Sequence, residues 1–438
     1  MIQTIELLPG ITLRCFPDDR FKQEGLSLQL IRPMCREEAA LNALLPAVLL
    51  RGCESAPDLR TITQRLDDLY GASVGSQLRR VGDYQTTGLS CSFMREEYAL
   101  NNDRVFAPMI SFLEELMFSP VLENGVFSAD FVESEKRNLL SAIASQRNDK
   151  RAFAGSQMIK LMCKEDSFGI PRLGEPEDVE AITPESLYAH YRKILRESPV
   201  HVFYVGNAAP EKIADLIRPM FARLQREPVT LPPQTAFHDC GGCDETRQMD
   251  VAQGKLCMGF VTPVTLRDEA FVPMQIFNTI FGGGMVSKLF MKIREEMSLC
   301  YDISSTYHGS KGIVTVSAGI DNHMDGPVRQ EILHQLELCQ NGEFTAEELE
   351  SAKQALISQL RSTHDSPGAI EGYYATSALS GLPLTPTSYM QAVERATAED
   401  VAAAARSEKL HTVYFLRGAV RWKKETTPKW GRPFIRSH

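Results

Sequence analysis

Glu135 to Gln146 reads EKRNLLSAIASQ, and 213 residues later Glu348 to Gln359 reads ELESAKQALISQ. Both stretches space their apolar residues as one face of a helix does, and neither stands alone. Ile182-Thr183-Pro184-Glu185 leads into a helix and then the strand His201–Gly206, while Ala396-Thr397-Ala398-Glu399 leads into a helix and then His411–Gly418. The offsets here are 214 (Thr183 to Thr397) and 212 (Gly206 to Gly418). A fourth match pairs Arg65–Tyr70 with the segment ending at Tyr301, at an offset of 231. Four matches in one order make an internal repeat, which predicts two homologous domains of about 215 residues each.

Outward from the repeat, the seam falls where composition changes. Arg226-Glu227-Pro228-Val229-Thr230-Leu231-Pro232-Pro233 cannot continue a helix, and Cys240-Gly241-Gly242-Cys243 adds two glycines. The expected organisation is an N-terminal domain over 1–224, a linker over 225–245 and a C-terminal domain over 246–438. Within the first copy, 12–16 and 26–31 alternate as strands do, and helices are expected over 37–51 and 58–69, the second capped by Asp58. Ser73–Arg80 and Tyr84–Phe93 then read as long strands joined by a tight turn at Val81-Gly82-Asp83, with helices from 103 to 194 and a closing strand. Hairpin-joined strands imply antiparallel pairing. The class is therefore α+β: two homologous domains, each a mainly antiparallel sheet with helices packed on one face.

Composition narrows the function. The 438 residues carry 47 Lys and Arg against 56 Asp and Glu, a net charge of −9, which argues against a general nucleic-acid binder because phosphate contacts need a basic face. The longest apolar run, Ala43–Leu50, holds Pro46 and is far short of a membrane span. Met1–Glu6 lacks the basic region and apolar core of a secretion signal, so the expected setting is cytoplasmic, away from membranes. The ten cysteines are scattered in apolar stretches, as reduced core thiols are. The one close pair, Cys240 and Cys243 after His238, has no second CxxC at finger spacing, and reads either as a labile metal or redox pair or as two thiols in a Gly-rich linker. Gly282-Gly283-Gly284 is followed by Ser287-Lys288 rather than Gly-Lys-Ser/Thr, so it reads as a sharp turn between helices and not as a phosphate loop.

The repeat, Leu69-Tyr70-Gly71-Ala72, the approach Gly282-Gly283-Gly284-Met285 to Lys288-Leu289-Phe290, and Arg294 with Tyr301 seven residues on together resemble the insulinase/pitrilysin-type (M16) metallopeptidases, and most closely their non-catalytic bacterial YmfF-type branch. Active members carry H-x-x-E-H on the first long helix and a further Glu on a later one. Two His and the later Glu bind zinc, and the motif's Glu activates water. Aligned on Gly52, the first His position is Ala43, the Glu is Pro46 and the second His is Ala47; the later zinc Glu falls on Ala142. None of these can bind a metal or move a proton. No histidine precedes His190, and the nearest approach to the motif, His334-Gln335-Leu336-Glu337, has Leu338 where the second His should stand. Glu135, which precedes Ala142 on the later helix, reads as a solvated helix charge.

The resemblance also implies something kept. In this family an Arg and a Tyr seven residues apart on the second domain grip a substrate carbonyl and donate to the tetrahedral oxyanion, and Arg294 and Tyr301 have that spacing. Tyr70, with Arg65 nearby, takes the equivalent place in the first copy, so Tyr301 also reads as a packing element of the fold. Three readings follow. The first is a zinc-less subunit that pairs with an HxxEH-bearing sister chain, forming a heterodimeric zinc peptidase acting on an extended peptide; this chain then needs no cofactor, zinc sits in the partner, and a homodimer is conceivable in the partner's absence. The second is a purely structural or peptide-binding scaffold. The third is a lone hydrolase built on a cysteine such as Cys300, although no histidine is placed by sequence to serve it and His308 is assigned to the same strand system only by guess. Loss at Ala43, Pro46, Ala47 and Ala142 with retention of Arg294 and Tyr301 is what the first predicts.

Overall fold

A computed structural model describes residues 2–418; His438 and the end of the expected C-terminal domain lie outside the described residues. The first copy runs β1 (Gln3–Leu8), β2 (Ile11–Pro17), β3 (Gln23–Pro33), α1 (Arg36–Leu49), α2 (Leu59–Asp68), β4 (Ser73–Val81), β5 (Tyr84–Met94) and α3 (Phe106–Phe118). It continues through a two-residue hairpin, β6 (Leu122–Glu123) and β7 (Val126–Phe127), to α4 (Ala129–Asn148), α5 (Lys150–Met162), α6 (Pro176–Glu180), α7 (Pro184–Glu197), β8 (Val200–Gly206) and α8 (Pro210–Ala222). After a stretch without regular elements come β9 (Asp244–Met249), β10 (Gly254–Val261), α9 (Phe271–Phe281) and a π-helical segment, Phe290–Glu296. The second copy closes with β11 (Cys300–His308), β12 (Ile313–Ile320), α10 (Asp325–Gln340), α11 (Ala346–Ser362), α12 (Pro367–Ser380), α13 (Pro386–Arg395), α14 (Ala398–Arg406) and β13 (Lys409–Gly418).

The repeat is visible in strand order. The first sheet is β1-β2-β8-β3-β5-β4 and the second, read from its far edge, is β9-β13-β10-β12-β11. Each has one parallel pair, β2 with β8 and β13 with β9, and is otherwise antiparallel. Side-chain caps start corresponding helices. Thr183 and Thr397 each accept from the third residue of the helix they open, in reciprocal capping boxes. Asp58 caps α2 through the Thr61 amide, as its sequence position predicts.

Helices cover one face of each sheet, and the other face is covered in exchange. α5 of the first domain lies on β10 and β13 of the second, burying Phe153, Met158 and Met162 against Cys257, Tyr414 and Leu416. α12, which follows the second long helix as α5 follows the first, lies on β8 and β3, burying Ile370 and Ala375 against Phe16, Phe203 and Val205. Neither sheet could stay dry alone, so the two copies fold as one body.

Strand register corrects one of the four matches. Val74 pairs with Cys91, and the corresponding rung of the second sheet joins Asp302 to Gly319. Counting back through the unpaired Tyr301, Gly71 corresponds to Ser298 and Tyr70 to Met297, not to Tyr301. The backbone agrees: Gly71 (φ 70°) and Ser298 (φ 53°) both sit in the left-handed region that turns the chain into its edge strand. Tyr301 lies at a bulge, an extra residue between the Cys300 and Asp302 rungs that β4 does not have.

Candidate functional site

The positions that the resemblance assigns to a zinc site lie on α1 and α4, which pack together. Ala43 and Ala47 are half-buried on α1 and Ala142 is exposed on α4, and their methyl groups can hold no metal. Pro46, in the middle of α1, has no N–H to give the Asn42 carbonyl. The Thr87 hydroxyl donates to that carbonyl instead, at 2.8 Å from β5. The Asn42 side chain is wholly buried: its Nδ2 donates to Gln85 Oε1 (2.9 Å), and His190 Nε2 donates to its Oδ1 (2.8 Å). Gln85 in turn donates to the carbonyls of Ala39 and Arg172. Burial pushes the His190 ring down to about 4, so this network is uncharged near neutral pH. The helix of the lost motif is thus pinned by neutral hydrogen bonds, and zinc does not fit the residues present.

Glu135 differs from its expected role as a solvated charge. Its side chain is 12% exposed and is paired with Arg51 at 3.2 Å, whose guanidinium lies over Phe131. Arg65 is likewise committed, in a two-pronged ion pair with Glu115.

On the second domain, Arg294 falls inside the π-helical segment, and the Met297 amide reaches back to Lys292 as the wider turn requires. The Arg294 guanidinium is exposed, 4.5 Å from the Phe290 ring centre, and meets Glu295 at 3.7 Å. Tyr301 is 52% exposed on the bulge and donates from its hydroxyl to Asp321 (2.9 Å); that hydrogen bond, and then the charge behind it, raises the phenol above its ordinary range and keeps its proton in place. Exposed apolar side chains surround the pair in sequence: Met285 (75%), Val286 (68%), Met291 and Met297. β11, which carries Tyr301, is the free edge of its sheet, as β4 is of the other. The first domain anchors the start of β11, with Arg151 donating to Ser304 (2.7 Å) and lying 3.6 Å from Asp302. Asp321 and the bulge escape sequence reading, because both depend on how β11 registers on β12.

The glycines before this segment serve a close approach. None of Gly282–Gly284 has positive φ, but a Cβ on Gly282 would stand 2.7 Å from Ser305 Oγ and 2.8 Å from Ser305 N on β11.

The cysteine alternatives weaken. Burial, reinforced by Asp302, pushes the Cys300 thiol up to about 11, and His308 lies at the opposite end of β11, against Phe168 and Thr315. Cys243 is exposed and Cys240 hydrogen-bonds the Met162 carbonyl (3.6 Å). Among the described residues, no group of three or more His, Cys, Asp or Glu could hold a metal ion, and no helix is long and apolar enough to cross a membrane.

Comparison with known proteins agrees with this geometry. The family profile described as "Peptidase M16 inactive domain" matches residues 181–356. The "Probable inactive metalloprotease YmfF" of Bacillus subtilis is 29% identical over 409 residues, spanning 93% of this chain and 96% of that protein. The crystal structure of a conserved protein from Enterococcus faecalis superposes with a TM-score of 0.89 at 26% identity, over 95% of this chain and 99% of that one. A peptidase M16 inactive domain from Pseudomonas fluorescens gives 0.79 at 19% identity, over 95% and 98%.

Proposed function

This chain is an M16-family homologue lacking the HxxEH zinc motif, and from that premise we propose that it is the non-catalytic subunit of a heterodimeric peptidase, paired with an HxxEH-bearing sister chain. The zinc belongs to the partner. This chain supplies Arg294, to hold a carbonyl of an extended peptide, and Tyr301, to donate its proton to the developing oxyanion. Such donors act on charge that exists only in the transition state.

The observation that supports this reading is the bulge. A tyrosine retained only for packing would recur at the same rung of the first sheet, and none does, since Tyr301 is the extra residue of the bulge and Tyr70 falls opposite Met297. The extra residue leaves the Tyr301 side chain exposed at the edge of β11. The flanking exposed methionines and Val286 supply an apolar surface that suits a partner. The open edge of β11 or β4 suits an extended peptide, whose backbone can add as a further strand.

The test is reconstitution with the sister chain and turnover of a fluorogenic peptide. Arg294→Ala and Tyr301→Phe should each lower kcat by about a hundredfold or more, with the pair of chains still co-eluting on gel filtration. Unchanged turnover in both variants would leave the scaffold reading standing and remove this one.

A further inference from the structure

A cleft of about 530 Å³ opens where the two domains meet, reaching β11 at His308, the end of that strand opposite Tyr301. Its floor is apolar, made of Ile143, Phe153, Ile159, Phe168 and Ile170. Its walls carry Arg147 at the end of α4, Arg172 in the loop before α6, and Arg247 on β9 of the other domain. All three are exposed, and among the described residues none of them is ion-paired; Arg172 donates only to the Leu78 carbonyl (2.9 Å).

The other charges of the cleft are accounted for. Lys160 is neutralised by Glu175 at 2.6 Å. Arg80 spends its terminal nitrogens on the carbonyls of Ile170 (2.8 Å) and Ser167 (2.9 Å), with its guanidinium 4.3 Å from the Phe168 ring centre. His308 is half-buried against Phe168 and is held neutral. One carboxylate, Glu177, remains against three arginines. In a chain of net charge −9 this is a local excess of positive charge over an apolar floor, the build of a pocket for a ligand that is anionic at one end and apolar along its body.

We propose that this cleft binds the C-terminal carboxylate of a short peptide with apolar terminal side chains. The arginines, whose planar forks match a carboxylate, receive its charge, and the floor receives its side chains. Gln146, Ser156 and Gln157 line the same walls and can meet peptide amides, which a plain acyl chain would leave unpaired. The inference goes beyond the subunit pairing and does not depend on it, because the measurement uses this chain alone.

The test is calorimetric titration of the full chain with N-acetyl-Ala-Leu-Phe, once as the free acid and once as the C-terminal amide. The acid should bind at least about tenfold more tightly than the amide, and added salt should narrow the gap. Arg147→Gln combined with Arg247→Gln should weaken the acid about tenfold and leave the amide unchanged, while Glu177→Gln should tighten the acid severalfold. Both arginines are exposed, so loss of fold does not confuse the result, and the Glu177 variant must move affinity the opposite way. Equal affinity for acid and amide, no heat from either at about 5 mM, or laurate binding more tightly than the tripeptide would overturn the proposal.

Discussion

Glu408, between α14 and β13, is 3% exposed, and neither of its carboxylate oxygens has a hydrogen-bond partner among the described residues. Only its backbone is held, the amide by Ala405 and the carbonyl by Gln340 Nε2. Burial alone pushes the carboxyl up from 4.5 to about 8. The folded chain therefore binds this proton more tightly than the unfolded chain does. The contribution to stability is full below pH 4.5 and is lost progressively as pH rises to about 8. At pH 7, some 2.5 pH units above the unfolded value, one unit being 1.36 kcal/mol, the loss is about 3 kcal/mol. Glu408→Gln keeps the shape and cannot ionise, so its own unpaired amide costs the same at every pH. Urea unfolding followed by far-ultraviolet circular dichroism should show the native chain losing about 3 kcal/mol more than Glu408→Gln between pH 5 and pH 8. If the two unfold in parallel across that range, Glu408 is solvated or paired in solution and the argument from burial fails.

Lys311, wholly buried in the β11–β12 turn, bridges Asp83 (2.5 Å) of the β4–β5 turn and Asp166 (2.9 Å); Lys311→Met should cost about 3–5 kcal/mol by stranding two carboxylates. Adding Asp83→Asn and Asp166→Asn to that variant should recover most of the loss in the same urea titration. Thr87→Val leaves the Asn42 carbonyl without its donor and should destabilise by about 1–3 kcal/mol, whereas Thr87→Ser should be close to neutral. Pro46→Ala, by restoring an N–H within α1, should shrink the Thr87→Val penalty in a double-mutant cycle. Asp321→Asn should bring the Tyr301 phenol back down toward its ordinary range, read by ultraviolet difference titration, with no change in fold.

The repeat was legible because it is written in local chemistry: capping threonines at 183 and 397, helical spacing around 135 and 348, and alternation in the hairpin strands. Those signals place helices and strands within a few residues of where they stand. The helices that carry Ala43, Pro46, Ala47 and Ala142 were legible for the same reason, since sequence spacing already identifies them. What failed was register. Tyr70 and Tyr301 look alike in a string, but one precedes its strand in a left-handed turn and the other sits on a bulge within the strand. Nothing in the intervening residues fixes that difference, because it is set by how β11 pairs with β12. Lys311 escaped for a related reason. It reads as an exposed turn lysine and is buried only because the tips of two hairpins, one from each copy, are brought together, with Gly82 close enough to Gln234 and Ser310 to admit no side chain.

The exchange of α5 and α12 bears on why a chain without a zinc site keeps this architecture. Each sheet depends on the other copy for one covered face, so losing the metal need not loosen the pair. Pro46 shows how far the first copy has settled. A proline in mid-helix costs about 3 kcal/mol in isolation, and here the exposed carbonyl it creates is met by Thr87, while Asn42, Gln85 and His190 tie the same turn to β5 and α7. Putting ligands back at 43 and 47 would therefore set metal chemistry on a helix whose backbone is bonded sideways. The first copy ties its motif helix into the packing, whereas the second copy exposes Arg294, a bulged Tyr301 with its own carboxylate partner, and the apolar side chains of Met285 and Val286. A scaffold gains nothing from exposing those groups together. On the pairing proposed above, a subunit that completes another chain's site does.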